Sequence, residues 1–296
     1  MSAKLKIILA MTVFGTLAIF VKNIQLTTWE IALFRAIIAA TVLIGYKLFA
    51  GQRIKFTEIK KDLVLLFFSG VAVGLNWILL FEAYKYTTVS IATLSYYFAP
   101  AIVMAVCPLL FRERLTVKQI ICFIMASVGL VMIIGVGGGE QQGNNLLGVA
   151  FGLGAAVLYA TVIILNKYIK GVTGLDRTLI QFFAAIMVLL PYTLATTGID
   201  FARVDPKGLI SLLTLGLVHT GIAYVLYFSA LKDLKGQEAA ILSYIDPLVA
   251  VIVSVAVLNE GITLWQIIGG ILILGFTLLN EVKLKFETTG VLKRSG

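Results

Sequence analysis

Long, unbroken apolar runs recur along the whole chain, without the alternation typical of β-strands. A bilayer core about 30 Å thick requires roughly 20 apolar residues of helix. Ten such runs occur, at residues 5–21, 28–49, 63–84, 89–110, 117–134, 146–166, 178–196, 208–230, 239–258 and 264–280. The connections between them are mostly too short for a soluble domain. The pattern predicts an all-α integral membrane protein with ten transmembrane helices, called spans 1 to 10 below.

The composition agrees with this prediction. Apolar residues make up 60% of the 296 positions and charged residues 13%, against roughly 45–50% and 25% in soluble domains. Because a soluble protein of this length could not bury so much apolar surface, the composition disfavours a soluble enzyme and a nucleic-acid-binding protein. The net charge of +9 therefore needs another origin.

The basic residues supply both that origin and an orientation. With the N-terminus placed in the cytoplasm, 19 of the 24 Lys and Arg residues fall in cytoplasmic segments and four fall outside. Arg35 alone lies deep within a span. Since cytoplasmic loops carry the excess of Lys and Arg, this bias predicts cytoplasmic N- and C-termini in a multi-pass protein of the cytoplasmic (plasma) membrane. The positive charge is then a topology signal with an affinity for anionic lipid.

The second half of the chain repeats the first. A shift of 147 positions aligns spans 3 to 5 with spans 8 to 10 and gives thirteen identities between residues 81–124 and 228–271. The longest shared motif is Glu-x-x-Thr-x-x-Gln-Ile-Ile, at 113–121 and 260–268. Each copy contains five spans, and an odd number of spans inverts the second copy relative to the first. Two inverted five-helix repeats suit a carrier whose cargo binds at the repeat interface.

The repeat divides the chain into four predicted segments. They are a first repeat at 1–134, an external linker at 135–147, a second repeat at 148–282 and a cytoplasmic tail at 283–296. The linker is rich in Gly and lacks Lys and Arg, which indicates a flexible external joint.

The repeated motif first predicts a structural device. Thr116 and Thr263 each precede an apolar run, and Gln119 and Gln266 follow three residues later, which is the pattern of a helix capping box. The glutamate that opens each copy of the motif is expected beside a positive helix end, where carboxylates are favoured.

The chain resembles the drug/metabolite transporter superfamily, EamA type. The resemblance rests on five plus five spans, on Pro100 and Pro247, on Glu113 and Glu260, and on Phe-Arg-Glu-Arg at 111–114, which is similar to a signature of that family's first half. It extends over nearly the whole chain. It implies a secondary carrier of small metabolites, often an exporter of amino acids or other metabolites.

Aromatic residues occupy equivalent places in both repeats and are candidates for a substrate-binding wall. The pairs are Phe14 with Tyr159, Trp77 with Tyr224, and Tyr97 with Tyr244. Rings at a repeat interface could hold an apolar side chain or a quaternary ammonium group. Asn76 adds a mid-membrane amide that needs a hydrogen-bond partner. Helix packing or an interfacial aromatic belt is the alternative interpretation.

Ionisable residues within spans are candidates for a polar or proton-coupling site, because burying them in lipid is costly. Arg35 lies roughly 10 Å deep in span 2 and could hold a substrate carboxylate; an ion pair with Glu30 or Glu82 is the alternative. His219, the single histidine, could exchange a proton in span 8 or pack as a neutral residue. Asp246 precedes a proline in span 9, where a helix break could form a polar site. Glu82, His219 and Asp246 permit proton coupling without requiring it.

The sequence therefore predicts a secondary-active transporter that exports a small amphiphilic metabolite, with a neutral or aromatic amino acid favoured, by alternating access. Uptake of choline or another quaternary amine into an aromatic cage is the alternative, and an intramembrane enzyme is a remote one. No metal cluster, cofactor motif or nucleophile triad is present in the sequence, so neither a cofactor nor a catalytic residue is predicted.

The expected partners are the small-molecule substrate, the lipid bilayer and protons as a candidate coupling ion, with no nucleic acid. Gly70-x-x-x-Gly74 and Gly148-x-x-x-Gly152 permit close helix approach, either within the chain or between two copies of it. Both a monomer and a homodimer therefore stay open.

Overall fold

The computed structural model describes residues 1–52, 56–111, 116–135, 145–169, 171–172, 174–196, 198, 204–231, 234 and 242–281. Within these ranges all regular secondary structure is helical, which confirms the all-α prediction. The tail predicted at 283–296 and most of the predicted linker lie outside the described residues.

Ten apolar helical segments follow the ten predicted runs in order. Six are long and apolar enough to cross a membrane: Ala3–Val21, Thr28–Phe49, Ile59–Tyr86, Asn145–Asn166, Gly174–Thr196 and Pro206–Ala230. Four are shorter within the described residues: Val89–Val103, Val117–Ile133, Ile245–Ala256 and Leu264–Asn280. In each half, three long segments precede two short ones. The protein is therefore a multi-span membrane protein, as predicted.

Within the described residues, spans 1, 4 and 8 each contain more than one complete helix. Span 1 contains Ala3–Gly15 and Leu17–Val21, span 4 contains Val89–Tyr96 and Ala99–Phe111, and span 8 contains Pro206–Thr214, a π-helix at Leu215–Ile222 and Ala223–Leu231. The helices of the other spans are Thr28–Phe49, Phe56–Tyr86, Val117–Gly135, Asn145–Tyr168, Gly174–Thr196, Ile245–Ala256 and Leu264–Glu281.

Side-chain caps fix where spans 5 and 10 begin. The carboxamide oxygen of Gln119 accepts from the backbone N–H of Thr116 at 2.8 Å, and the N–H of Gln119 donates to Thr116 Oγ1 at 3.2 Å. Thr263 and Gln266 make the same two bonds at 2.9 and 3.2 Å. These bonds satisfy N–H groups that have no partner within the helix. Both capping boxes predicted from the repeated motif are confirmed.

The two halves are interleaved rather than side by side. Span 1 packs on spans 8 and 9, and its counterpart span 6 packs on spans 3 and 4. Span 2 packs on spans 7 and 8, while span 7 packs on spans 2 and 3, and spans 5 and 10 pack on each other. Exchanging the two halves turns each of these contacts into another contact of the set, as a pseudo-two-fold axis requires.

The predicted small-residue motifs make contacts within the chain. A Cβ atom on Gly74 would lie 3.2 Å from the Cβ of Ala185 in span 7, and one on Gly152 would lie 2.9 Å from the Cβ of Ser95 in span 4. Gly70 likewise packs on span 7, and Gly148 packs on Thr87, just before span 4. Of the two alternatives that the sequence leaves open, these motifs serve the internal one.

The wide turn of span 8 is a feature that the sequence pattern did not predict. Leu215–Ile222 is π-helical, and Thr220 Oγ1 donates to the carbonyl oxygen of Leu215, five residues earlier, at 2.9 Å. His219 Nδ1 lies 3.3 Å from the carbonyl oxygen of Thr214, again five residues earlier. π-Turns of this kind are rare and concentrate at functional sites.

Two glycines of that π-helix allow spans 8 and 2 to approach closely. A Cβ on Gly216 would lie 2.5 Å from Ile38, and one on Gly221 would lie 2.6 Å from Val42. The two glycines are five residues apart, so they share one face of the wide turn. Span 2 carries Arg35, and this packing brings Arg35 to span 8.

The outer surface of the helices is apolar. Met187, Ile252 and Ile271 are each more than 60% exposed although they lie within spans 7, 9 and 10. A soluble protein rarely leaves so many large apolar side chains in water, whereas lipid tails accept them. The surface therefore matches the membrane environment that the sequence predicts.

Candidate functional site

A cavity of about 520 Å³ lies between helices of both halves, within the usual size range of small-molecule sites. Its described lining comes from spans 1 to 4 and 6 to 9. Nine of the eleven predicted site residues belong to the lining: Phe14, Arg35, Asn76, Trp77, Tyr97, Tyr159, Tyr224, Tyr244 and Asp246. Glu82 and His219 are not among the described lining residues. The structure thus brings most of the predicted residues to one place.

The first group of rings in this wall centres on Tyr224. Its ring centroid lies 5.4 Å from that of Phe14, 5.6 Å from that of Phe182 and 5.9 Å from that of Phe228. Phe182 also lies 5.5 Å from Trp77. The predicted equivalents Trp77 and Tyr224 therefore share one buried aromatic neighbour, contributed by span 7.

The second group of rings centres on Tyr96, which the sequence analysis missed. Its ring lies 5.3 Å from Tyr159 and 5.5 Å from Tyr97. The missed aromatic residues of the lining are Tyr84, Tyr96, Tyr227 and Phe228. Phe228 alone had a sequence signal, because it repeats Phe81 at the offset of 147.

Asn76 satisfies its amide within the protein. Its Nδ2 donates to the backbone oxygen of Ala155 at 2.6 Å and so joins span 3 to span 6. Further along the cavity, Gln181 Nε2 donates to Ser69 Oγ at 2.6 Å and to Asn166 Oδ1 at 3.0 Å. These amides give the cavity a polar side and tie together helices from opposite halves.

Arg35 is almost completely buried, with 4% of its surface exposed, and it lines the cavity. Its Nε donates to Thr220 Oγ1 at 2.6 Å. Its guanidinium carbon lies 4.3 Å from the centroid of the Trp77 ring and 5.8 Å from that of Phe81. None of the described residues accepts a hydrogen bond from its two terminal nitrogens. Cation–π contact thus holds the charged plane and leaves its far edge open.

The two acids considered as ion-pair partners for Arg35 have other contacts. Glu30 accepts from the backbone and hydroxyl of Thr27 at 2.8 and 2.5 Å and so caps span 2. Glu82 accepts from Thr28 Oγ1 at 2.6 Å and forms a 3.0 Å ion pair with Lys85. Both carboxylates therefore belong to the end of the bundle where span 2 begins and span 3 ends.

Asp246 lies in the first turn of Ile245–Ala256 and accepts a hydrogen bond from the Tyr97 hydroxyl. This bond joins the two halves. The positive end of the helix favours a carboxylate there, and the following Pro247 lacks only an N–H that would have no helical partner. The proline therefore marks the start of a helix. Arg35 and Asp246 are the two charged residues of the described lining.

His219 lies outside the described lining and is 2% exposed. Its Nε2 is 3.0 Å from Thr16 Oγ1, and its ring lies 4.7 Å from that of Phe20. Thr16 separates the two helices of span 1. His219 therefore connects span 8 to span 1, an arrangement that favours the packing interpretation over a place in the cavity.

A polar network around Glu260 joins the two halves at the end of the bundle predicted to be external. Glu260 forms an ion pair with Lys22 and accepts from the backbone N–H of Val89 at 2.7 Å and from Ser254 Oγ at 2.5 Å. Ser254 Oγ in turn accepts from the N–H of Ser90 at 3.2 Å. Glu260 thus lies at a positive helix end, as predicted, but the helix is that of span 4. Its counterpart Glu113 lies outside the described residues.

The described residues contain no group of three or more His, Cys, Asp or Glu side chains that could hold a metal ion. The described lining of the cavity offers one cation, one carboxylate, a few amides and many rings.

Comparison with known proteins places the chain among transporters. The family model described as "EamA-like transporter family" matches residues 1–135 and 146–281. A protein of Bacillus subtilis named "Uncharacterized transporter YxxF" is 26% identical over 95% of this chain and 90% of its own length. A transporter of Archaeoglobus fulgidus is 28% identical over 92% of this chain and 94% of its own.

Two further similarities concern cargo and fold. A Salmonella typhimurium protein named "Probable amino-acid metabolite efflux pump" is 25% identical over 63% of this chain and 65% of its own. One solved crystal structure superposes with a TM-score of 0.63 at 17% identity, covering 94% of this chain and 96% of that one. At that identity the likeness concerns the fold alone.

Proposed function

The chain belongs to the EamA-like transporter family, and from this premise we propose that it is a secondary-active carrier that exports a neutral or aromatic amino acid across the cytoplasmic membrane. Residues 1–134 and 148–282 are its two inverted repeats, and alternating access moves the cargo through the cavity between them. The N- and C-termini are cytoplasmic in this arrangement.

The observation that carries the proposal is the composition of the cavity. Rings from both halves surround a space of about 520 Å³, and one cation and one carboxylate line the same space. An amino acid with an apolar side chain carries the complementary groups: an ammonium, a carboxylate and an apolar body. The name of the Salmonella relative supports amino acids as cargo and export as the direction.

The two ends of the cavity support alternating access. At the predicted external end, the Glu260 network ties span 4 to the connection between spans 9 and 10. At the predicted cytoplasmic end, the lining includes Asn166 near the end of span 6, Thr178 near the start of span 7, and Tyr244. This pattern fits a carrier closed to the outside, whose cavity extends toward the cytoplasm.

Transport into everted membrane vesicles tests the proposal. Everted vesicles that contain the protein should take up radiolabelled phenylalanine or leucine faster than vesicles without it, and the rate should saturate with concentration. The measurement is made with and without an imposed proton gradient, which also tests proton coupling. Absence of uptake of every neutral and aromatic amino acid under both conditions would contradict the proposal.

Uptake of choline or another quaternary amine is the second candidate, and the aromatic wall favours it. Trp77, Tyr97 and Tyr224 could surround a quaternary ammonium group, with Asp246 supplying the negative charge. Arg35 in the same lining disfavours it, because a cation has no use for a second positive charge nearby. Trp77→Ala and Tyr224→Ala should weaken choline binding far more than amino-acid binding if choline is the cargo.

The intramembrane enzyme, the remote alternative, would need His219 beside a carboxylate. His219 contacts Thr16 and Phe20, whereas Asp246 contacts Tyr97 and lines the cavity. The arrangement of the described residues therefore disfavours the enzyme.

A further inference from the structure

The edge of Arg35 that faces away from Thr220 is an unused double donor inside the cavity. Nε donates to Thr220 Oγ1 at 2.6 Å, and the guanidinium carbon lies over the Trp77 ring, 4.3 Å from its centroid. The two terminal nitrogens remain, and no described residue accepts from them. A guanidinium edge with two parallel N–H groups fits one carboxylate bidentately.

The π-helix of span 8 accounts for this orientation of Arg35. Thr220 Oγ1 donates its proton to the carbonyl of Leu215, so its lone pairs are free to accept from Arg35 Nε. An α-helix would offer the hydroxyl a carbonyl four residues back, in a different direction. Thr220 is therefore a positioning residue, which acts on cargo through Arg35.

A charge of the opposite sign lines the same cavity on another helix. Asp246 accepts from the Tyr97 hydroxyl through Oδ2 and lines the cavity. A carboxylate of this kind can accept from an ammonium group. Rings from both halves line the same cavity.

Given the proposed carrier function, on which this step rests, we infer that the cavity recognises its cargo as a zwitterion. The terminal nitrogens of Arg35 bind the α-carboxylate, Asp246 binds the α-ammonium, and the rings around Tyr96 and Tyr224 receive an apolar or aromatic side chain. Cargo that lacks either charge binds more weakly, because it leaves one buried charge without its partner.

Three probes of one shape test the inference. L-Phenylalanine carries both charges, phenethylamine lacks the carboxylate, and 3-phenylpropanoate lacks the ammonium. Binding of each to the purified full-length protein in lipid nanodiscs is measured by isothermal titration calorimetry. The unaltered protein should bind phenylalanine at least about tenfold more tightly than either analogue.

Variants then assign each charge to one residue. Arg35→Gln should weaken phenylalanine and 3-phenylpropanoate about tenfold or more and leave phenethylamine unchanged. Asp246→Asn should give the mirror image, weakening phenylalanine and phenethylamine alone. Thr220→Val should follow Arg35→Gln with a smaller loss, and Thr220→Ser should restore binding, because the serine hydroxyl keeps the acceptor. Thermal unfolding and size-exclusion profiles check that each variant is folded.

The outcomes separate the inference from the function on which it rests. If Arg35→Gln weakens all three probes equally while the protein stays folded, Arg35 has a structural role and the inference is overturned. If Arg35→Gln does not fold, Thr220→Val and Asp246→Asn decide. The inference is then overturned if both of these variants still prefer phenylalanine over its two analogues. If the unaltered protein binds phenylalanine, and Arg35→Gln and Asp246→Asn still prefer phenylalanine over its two analogues, the inference is overturned while the proposed function stands. Binding of none of the probes would overturn the inference, and uptake of neutral and aromatic amino acids by everted vesicles decides the proposed function separately.

Discussion

The two halves differ at the charged residues of the cavity. Spans 2 and 7 align at an offset of 148, which matches Phe34 with Phe182 and pairs Arg35 with Phe183. The offset of 147 pairs Asp246 in span 9 with Ala99 in span 4. Each charged residue of the described cavity lining thus has an uncharged residue at the equivalent position of the other half. The rings and the capping boxes occur in both halves. The shared residues build and pack the helices, whereas the residues that differ give the cavity its polarity.

Making the halves alike at Asp246 should have the largest effect. Asp246→Ala restores the alanine of the first half and removes the carboxylate, so we expect amino-acid uptake by everted vesicles to fall about 100-fold, in line with a loss of about 2–5 kcal/mol for a buried charge pair that loses one member. Leu248→Ala, at an exposed position of the same helix, is the matched control and should keep full activity. Normal uptake by Asp246→Ala would mean that the asymmetry has no role in transport.

A second change compares the packing of the two halves directly. Gly221 and Gly74 are equivalent, but a Cβ would lie 2.6 Å from Val42 at Gly221 and 3.2 Å from Ala185 at Gly74. We expect Gly221→Ala to lower the free energy of unfolding by about 1–3 kcal/mol and Gly74→Ala to cost less, because only the first forces spans apart.

Thermal unfolding in detergent measures both variants. Gly275→Ala, where nothing lies within 4 Å of the added Cβ, serves as the control and should be neutral or stabilising. Equal losses at the two equivalent glycines would show that the π-helix does not tighten the second half.

The Glu260 network allows a third, smaller test. Glu260→Ala removes the acceptor of the Val89 N–H and the partner of Lys22, so we expect a loss of about 1–2 kcal/mol in stability. Glu260→Gln keeps an acceptor and should lose less. A cysteine placed at Ser90 should react faster with an external thiol reagent in Glu260→Ala than in Glu260→Gln. Equal labelling rates would show that the network does not close this end.

The smallest effects should come from the duplicated capping boxes. Gln119→Ala and Gln266→Ala each remove the acceptor of a threonine backbone N–H, and Gln119→Ala also removes the 3.1 Å bond from the Thr116 hydroxyl. Each change should cost about 0.5–1 kcal/mol. Because the two bonds that both boxes share agree in length to within 0.1 Å, the two losses should be similar, as thermal unfolding can establish. A loss confined to one variant would break the equivalence of the two halves at this point.

The sequence predicted the elements of the fold better than their faces. Ten apolar runs and two capping boxes were readable because length and local hydrogen bonds determine them. Which side of a span faces the cavity was not, since a span that is apolar all round carries no polar stripe to orient it. Tyr96 and Tyr97 are adjacent, and only Tyr97 was predicted as a lining residue, because it alone has an aromatic equivalent in the other repeat. His219 was a candidate because it is the single histidine, whereas its neighbour Thr220 is the residue that accepts a hydrogen bond from Arg35.

Long-range contacts explain the other differences. Glu260 accepts from Val89, 171 positions away, and no local pattern announces such a pair. The asymmetry between the halves is visible in the sequence at Arg35 and Asp246. That both residues line one cavity became clear only from the structure.

The π-helix of span 8 also determines the direction in which the side chains that follow it in the span point. An α-helix advances about 100° per residue, so one surplus residue rotates the downstream side chains by about that angle. Tyr224 and Phe228 come directly after the wide turn and point their rings at the cavity. Deleting one residue within 215–222 would keep the span helical, yet turn these rings toward neighbouring helices or lipid. Which side chains line the cavity thus depends on the one additional residue of the π-helix as much as on the identity of the lining residues.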